Sequence, residues 1–270
     1  MASTKNLTSI AKLYKTDKLD HGYTKIYEKY FENLREQKLK ILEIGIADGK
    51  SLLTWSDYFK NSTIIGIDIH RIDIHEKKLD KNNIRVHQGS QSDEQFIKEI
   101  INQYENFDII IDDGSHLKKD VIKSFHLLFP CLNNEGLYVV EDMQTSYNHF
   151  FGGNPFDLKY SNSHMNFFKH LTDRLNHQEI ANPLYIADKY DAKITNVSFY
   201  HNLVFVRKGV NDMPSKEVLN HSYENMKFKE KSFRTGKSVK YYLKYKIFYK
   251  IYTFCFMTFN IIKRLLLLRF

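Results

Sequence analysis

Apolar and polar positions along this chain follow two alternating periods. Residues 40–44 (KILEI), 63–67 (TIIGI), 84–87 (IRVH), 107–111 (FDIII) and 137–140 (LYVV) are short apolar runs bounded by turn residues, the pattern of buried parallel strands. Between them, apolar residues recur three and four apart. Phe96, Ile97 and Ile100 follow a Ser92 or Asp93 cap, and Val121, Ile122, Phe125, Leu128 and Phe129 follow a helix start near His116. Met165, Phe168, Leu171 and Leu175 predict a helix over 164–176. Residues 7–36 read as helical, with Ile10, Leu13 and Tyr14 on one spacing and Ile26, Tyr27, Tyr30, Phe31 and Leu34 on another. The polar stretch between them, KTDKLDHGYT, reads as a surface loop capped at Thr24 or as a segment folded over a ligand. Residues 184–187 suggest a short strand or helix edge. Residues 192–200 and 203–206 flank His201-Asn202, a two-residue connection that predicts an antiparallel hairpin. The sum is an α/β chain with a Rossmann-like, seven-stranded, mostly parallel sheet and one antiparallel edge strand.

Parallel strands open their C-terminal ends onto one rim, so chemistry is expected where these runs stop. The first run leads into Gly45-Ile46-Ala47-Asp48-Gly49 and a helix from about Ser51, a turn whose backbone N–H groups face a ligand. The spacing is GxxxG, without the full GxGxxG fingerprint and without a GK[ST] for a nucleotide triphosphate. The second run ends in Asp68, placed to accept hydrogen bonds from a ribose diol. Ser90 and Gln91 follow the third run, where an adenine contact is expected.

The fourth and fifth runs end in DDGSH and EDMQTSY. Asp113, Glu141 and Asp142 gathered on one rim repel one another, and a divalent cation resolves this; hard oxygen donors select Mg²⁺ over Zn²⁺. Asp112 points either to a cofactor or to a structural contact. His116, three residues past Asp113, is the candidate general base, with a solvent-facing helix start as its plain alternative. No nucleophile elbow and no HExxH is present, which disfavours hydrolases. Residues 145–157 are rich in glycine and aromatics, with Tyr147, Phe150 and Phe151 in a loop expected beside an acceptor. His149 and His164 read as bystanders.

With these motifs in place, the chain resembles the class I S-adenosylmethionine-dependent methyltransferases: LEIGIADG resembles their methionine loop and IIGIDIH their ribose-binding strand. More narrowly it is similar to the metal-dependent sugar (macrolide and rhamnosyl) O-methyltransferases and their cephalosporin-hydroxylase-like relatives. YKTDKLDHGYTKIYEKYF, DDGSH, EDMQTSY and FYHNLVFVRKG occur in the same order, over residues 10–209. The resemblance implies Mg²⁺ on Asp113, Glu141 and Asp142, with His116 as base. It implies S-adenosylmethionine held by Glu43, Gly45, Asp48, Gly49, Ser51, Asp68, Ser90, Gln91 and Asp112. It also implies that Lys18, His21 and Tyr23 wall the pocket, with Tyr147 towards the acceptor. The expected reaction is direct transfer of the methyl group to a sugar hydroxyl on a capsule or lipopolysaccharide precursor, free or lipid-linked. The alternatives are a catechol-like or natural-product O-methyltransferase, a hydroxylase-like relative and a noncatalytic scaffold.

Charge changes this picture in one respect. The net charge is +8, but residues 231–270 hold ten Lys or Arg and no acid, leaving the first 230 residues with 30 basic and 32 acidic side chains. A near-neutral body argues against nucleic acid as substrate. The expected organisation is a helical cap or lid over 1–37, the methyltransferase domain over 38–209, a linker over 210–235 and a basic aromatic tail over 236–270. The tail's longest uncharged run, 251–262, is short of the roughly 20 residues a membrane span needs. It reads as an amphipathic segment on the anionic inner face of the cell membrane, with an apolar cap or homo-oligomer contact as the rival. No apolar h-region opens the chain, and Cys131 and Cys255 give no disulfide framework, so a cytoplasmic setting is expected.

Overall fold

The computed structural model describes residues 5–72, 77, 79–159, 163–180 and 190–212. The tail, the linker beyond residue 212 and the element expected at 184–187 lie outside the described residues. The five apolar runs form β1 (Lys40–Ile44), β2 (Thr63–Asp68), β3 (Ile84–Gln88), β4 (Phe107–Asp112) and β5 (Leu132–Val140), all mutually parallel. With β6 (Ile194–Tyr200) and β7 (Leu203–Lys208) they make one sheet in the order β3-β2-β1-β4-β5-β7-β6.

The antiparallel strand is β7, and it lies inside the sheet rather than at the edge as expected. It pairs with β5 on one side and β6 on the other. The patterning explains this: Leu203, Val204, Phe205 and Val206 are buried in succession, whereas β6 alternates and only Ile194 is buried. A strand apolar on both faces belongs in the interior, and an alternating one tolerates the edge. Asn202, at φ +60°, makes the two-residue turn between them.

Helices cover both faces. On one lie α1 (Leu7–Tyr14), α2 (Tyr23–Phe31) and α3 (Lys50–Tyr58), which bring Ile10, Tyr27, Phe31 and Trp55 against Ile41, Ile64, Ile109, Val139 and Phe205. On the other lie α4 (Glu94–Tyr104), α5 (Lys118–Leu128) and α6 (His164–Leu175), which bury Ile97, Phe125 and Phe168 against Leu42, Ile65, Ile110 and Tyr138. Asp93 is the α4 cap, accepting from the backbone N–H groups of Gln95 and Phe96. Helix α5 starts two residues later than expected, because His116 sits in a left-handed turn at φ +56°. Strand order reverses between β1 and β4, so the crevice at their C-terminal ends is where this architecture holds a ligand.

Candidate active site

Two loops meet at that crevice. The peptide N–H of Asp113 donates to the Ile44 carbonyl at 2.9 Å, and a Cβ on Gly45 would fall 2.1 Å from the Asp113 carbonyl oxygen. Gly45, at φ +79°, is therefore fixed by the close approach of the β4 loop. Ala47, His116 and Asp142 have φ of +43°, +56° and +53°, one left-handed non-glycine residue after each of β1, β4 and β5. Such strain on three adjacent strand ends marks a functional rim.

Side-chain alternation separates the two aspartates of DDGSH. Asp112 is buried on the α5 side, where its carboxylate accepts from Gln91 Nε2 at 3.1 Å and from the Tyr138 hydroxyl at 3.1 Å. Burial pushes its pKa up to about 7, against the pull of those two hydrogen bonds. Gln91 also donates to Ser124 and accepts from the Ser115 N–H at 2.6 Å. Asp112 and Gln91, both expected to hold the cofactor, brace the DDGSH loop through these hydrogen bonds.

Asp113 turns to the opposite face, and there the polar N-terminal stretch enters the core. Lys18, only 2% exposed, places Nζ 2.6 Å from Asp113 Oδ2, 2.7 Å from Glu141 Oε1 and 3.2 Å from Glu43 Oε1. The Tyr27 hydroxyl donates to Glu141 Oε1 at 2.5 Å. Burial pushes the ammonium pKa down, but the three carboxylates outweigh it and hold the group charged. Burial and the Asp113 charge push Glu141 well up, against Lys18 and Tyr27. Lys18, expected as a pocket-wall residue, is the cation of a buried cluster. Glu43, fully buried, also accepts from Ser51 Oγ at 2.7 Å and Trp55 Nε1 at 3.2 Å. Glu43 and Ser51, both expected at the cofactor, engage each other next to the glycine loop.

The outer side of Asp113 faces His116 and Asp142. His116 Nε2 lies 3.9 Å from Asp113 Oδ1 and 3.8 Å from Asp142 Oδ2. The Tyr23 hydroxyl donates to Asp142 Oδ1 at 2.7 Å, and His21 Nδ1, on a side chain 44% exposed, lies 3.8 Å from the same oxygen. Burial raises the Asp142 pKa, but the Tyr23 hydrogen bond and the two histidines reverse this and hold it low. Asp113 thus belongs to two groups whose ligating atoms lie within 4.8 Å of one another: Asp113, His116 and Asp142 outside, and Glu43, Asp113 and Glu141 inside. Hard carboxylate oxygens in both groups fit Mg²⁺. The inner group already carries the Lys18 charge, so the expected trio of Asp113, Glu141 and Asp142 is divided between a neutralised interior and an open rim.

The aromatic segment after β5 lies beside His116, with the Phe151 ring 6.5 Å away. Tyr147, Phe150, Phe156 and Leu158 are exposed there. His164, buried in α6, has Nε2 3.2 Å from Thr145 Oγ1, which donates to the Asp142 carbonyl at 2.7 Å. On the other side of the rim, Asp68 Oδ2 accepts from the Ile46 and Ala47 N–H groups at 3.0 and 3.1 Å, and Oδ1 from the His70 N–H at 2.8 Å. Asp68 therefore shapes the glycine loop. Gly49 lies at φ +80° against Leu79, Asp48 pairs with Lys50 at 2.5 Å, and Ser90 bonds Ser92. Lys18 and Tyr27 are the residues the sequence reading missed as carboxylate partners.

Residues 42–143 match a family model described as a methyltransferase domain. The chain is 36% identical over 217 residues to mycinamicin VI 2''-O-methyltransferase of Micromonospora griseorubida, covering 77% of this chain and 53% of that protein. It is 34% identical over 216 residues to 8-demethyl-8-(2-methoxy-alpha-L-rhamnosyl)-tetracenomycin-C 3'-O-methyltransferase of Streptomyces olivaceus, covering 76% and 54%. A structure of the MycE methyltransferase from the mycinamycin pathway in complex with Mg and SAH superposes with a TM-score of 0.75 at 36% identity, over 80% of this chain and 58% of that one. The chain spans about half the length of the curated relatives it matches.

Proposed function

We propose that the chain, similar to macrolide and rhamnosyl sugar O-methyltransferases, is a class I S-adenosylmethionine-dependent methyltransferase that methylates a sugar hydroxyl on a glycosylated natural product, using S-adenosylmethionine and Mg²⁺. The relatives' names specify sugar methylations on macrolide and tetracenomycin compounds. They favour the natural-product alternative over the capsule or lipopolysaccharide acceptor expected from the sequence.

The observation that carries the reading is His116 beside Asp113 and Asp142 on the rim next to the β1 glycine loop. The loop shaped by Gly45, Gly49 and Asp68 holds the donor, with Asp68 facing the ribose. His116 takes the proton from the acceptor hydroxyl as its oxygen bonds the methyl carbon and the carbon–sulfur bond breaks. Asp113 and Asp142 stabilise the resulting imidazolium, and no covalent enzyme intermediate arises. The sulfonium is already a good leaving group, so positioning and hydroxyl activation are what the chain supplies. The rim carboxylates Asp113 and Asp142 would hold Mg²⁺, which when bound supplies a Lewis acid that lowers the hydroxyl pKa. Phe150, Phe151 and Tyr147 offer aromatic faces to the acceptor.

The test is transfer of labelled methyl from S-adenosylmethionine across glycosylated macrolides and aromatic polyketides, with lipid-linked glycans in parallel, with and without EDTA. Metal-dependent transfer to a glycosylated polyketide is expected. Transfer only to lipid-linked glycans, or transfer indifferent to metal removal, overturns the corresponding part of the reading.

A further inference from the structure

The Lys18 ammonium is the buried cation of the site. It is not on the rim, where a sulfonium or a sugar would meet it; it lies beneath, between Glu43, Asp113 and Glu141, with Tyr27 closing Glu141 from the α2 side. Glu43 Oε1 makes no hydrogen bond and has Lys18 as its counter-charge at 3.2 Å. Without Lys18, three carboxylates would share a volume from which water is excluded.

We propose that Lys18 is a built-in cation that holds the inner carboxylates together whether or not metal is present, and that it positions Asp113 for the rim. Its contact with Asp113 Oδ2 leaves Oδ1 directed at His116. One oxygen of this carboxylate is thus committed to the interior and the other to the site. Lys18 pairs with Glu43, Asp113 and Glu141 and acts through Asp113, as a positioning residue. The inference rests on ion-pair geometry, so it is tested apart from methyl transfer.

The experiment is thermal unfolding of the full chain and of Lys18→Met, each in EDTA and in MgCl₂, together with the double variant Lys18→Met/Glu43→Gln. The wild type should gain from MgCl₂ only what binding at the rim adds, a smaller shift than the variant's. Lys18→Met should melt on the order of 10 °C lower in EDTA and recover much of that loss with Mg²⁺, an external cation replacing the internal one. The double variant, with one carboxylate neutralised, should regain stability in EDTA, which repair of packing alone does not accomplish. If Lys18→Met does not fold, the double variant carries the test. A single variant as stable as wild type in EDTA, or a double variant no better than the single, overturns the proposal.

Discussion

His116 stands where three constraints coincide: a left-handed backbone, two carboxylates within 4 Å and an aromatic neighbour. Loss of a positioned general base costs about 10²–10⁴ in rate. His116→Ala is expected to lower kcat by that factor while calorimetry records unchanged donor binding. His164 gives a pH-dependent expectation. Burial lowers its pKa from 6.5 to about 4. The unfolded chain therefore takes up the proton first, and stability falls as pH drops from about 6.5 towards 4, by about 3 kcal/mol for the full shift. Melting temperatures at about pH 7.5 and about pH 5 should diverge less in His164→Gln than in wild type. The division between Asp112 and Asp113 was legible in the sequence: strand parity puts Asp112 on the face of Ile110 and Asp113 on that of Ile111. The burial of Lys18 was not, since a lysine in a polar decapeptide carries no local mark of partners 95 and 123 residues away.

At the scale of elements, the apolar runs of β1, β2 and β4 were readable because buried parallel strands need no alternation. The place of β7 in the sheet was not read, although its four consecutive buried residues held the signal. The N-terminal helices, read as a cap or lid, pack Tyr27 and Phe31 with Trp55 and Phe205. Helical spacing reports that a face is buried, not against what. The junction of the β1 and β4 loops makes its own prediction. Gly45→Ala places a methyl group against the Asp113 backbone at a positive φ, and a loss of roughly 2–4 kcal/mol is expected in urea unfolding. Phe151→Ala should raise the acceptor KM several-fold with the donor KM unchanged, read by steady-state kinetics.

For the whole molecule, the proposed reaction assigns donor and acceptor sides of the rim to different parts of the chain. In that reading the donor loop is shaped by β1, α3 and β2, while the acceptor side draws on β4, β5 and the N-terminal stretch. Chelation of metal is therefore expected to abolish methyl transfer, and added Mg²⁺ to restore it, with little change in S-adenosylmethionine affinity by calorimetry. Among the described residues, no helix is long and apolar enough to cross a membrane.

The reach of the N-terminal stretch also sets an order of events in synthesis. Lys18, Tyr23 and Tyr27 find their carboxylates 95 to 123 residues further along the chain. At about 5–20 residues per second on the ribosome, the lysine emerges on the order of 10 s before the last of those acids is made. The nascent α1 and α2 must wait with their aromatic face uncovered, open to chaperones. The rim is assembled only once β5 has been translated, so residues synthesised well before the sheet is complete are among the last to settle.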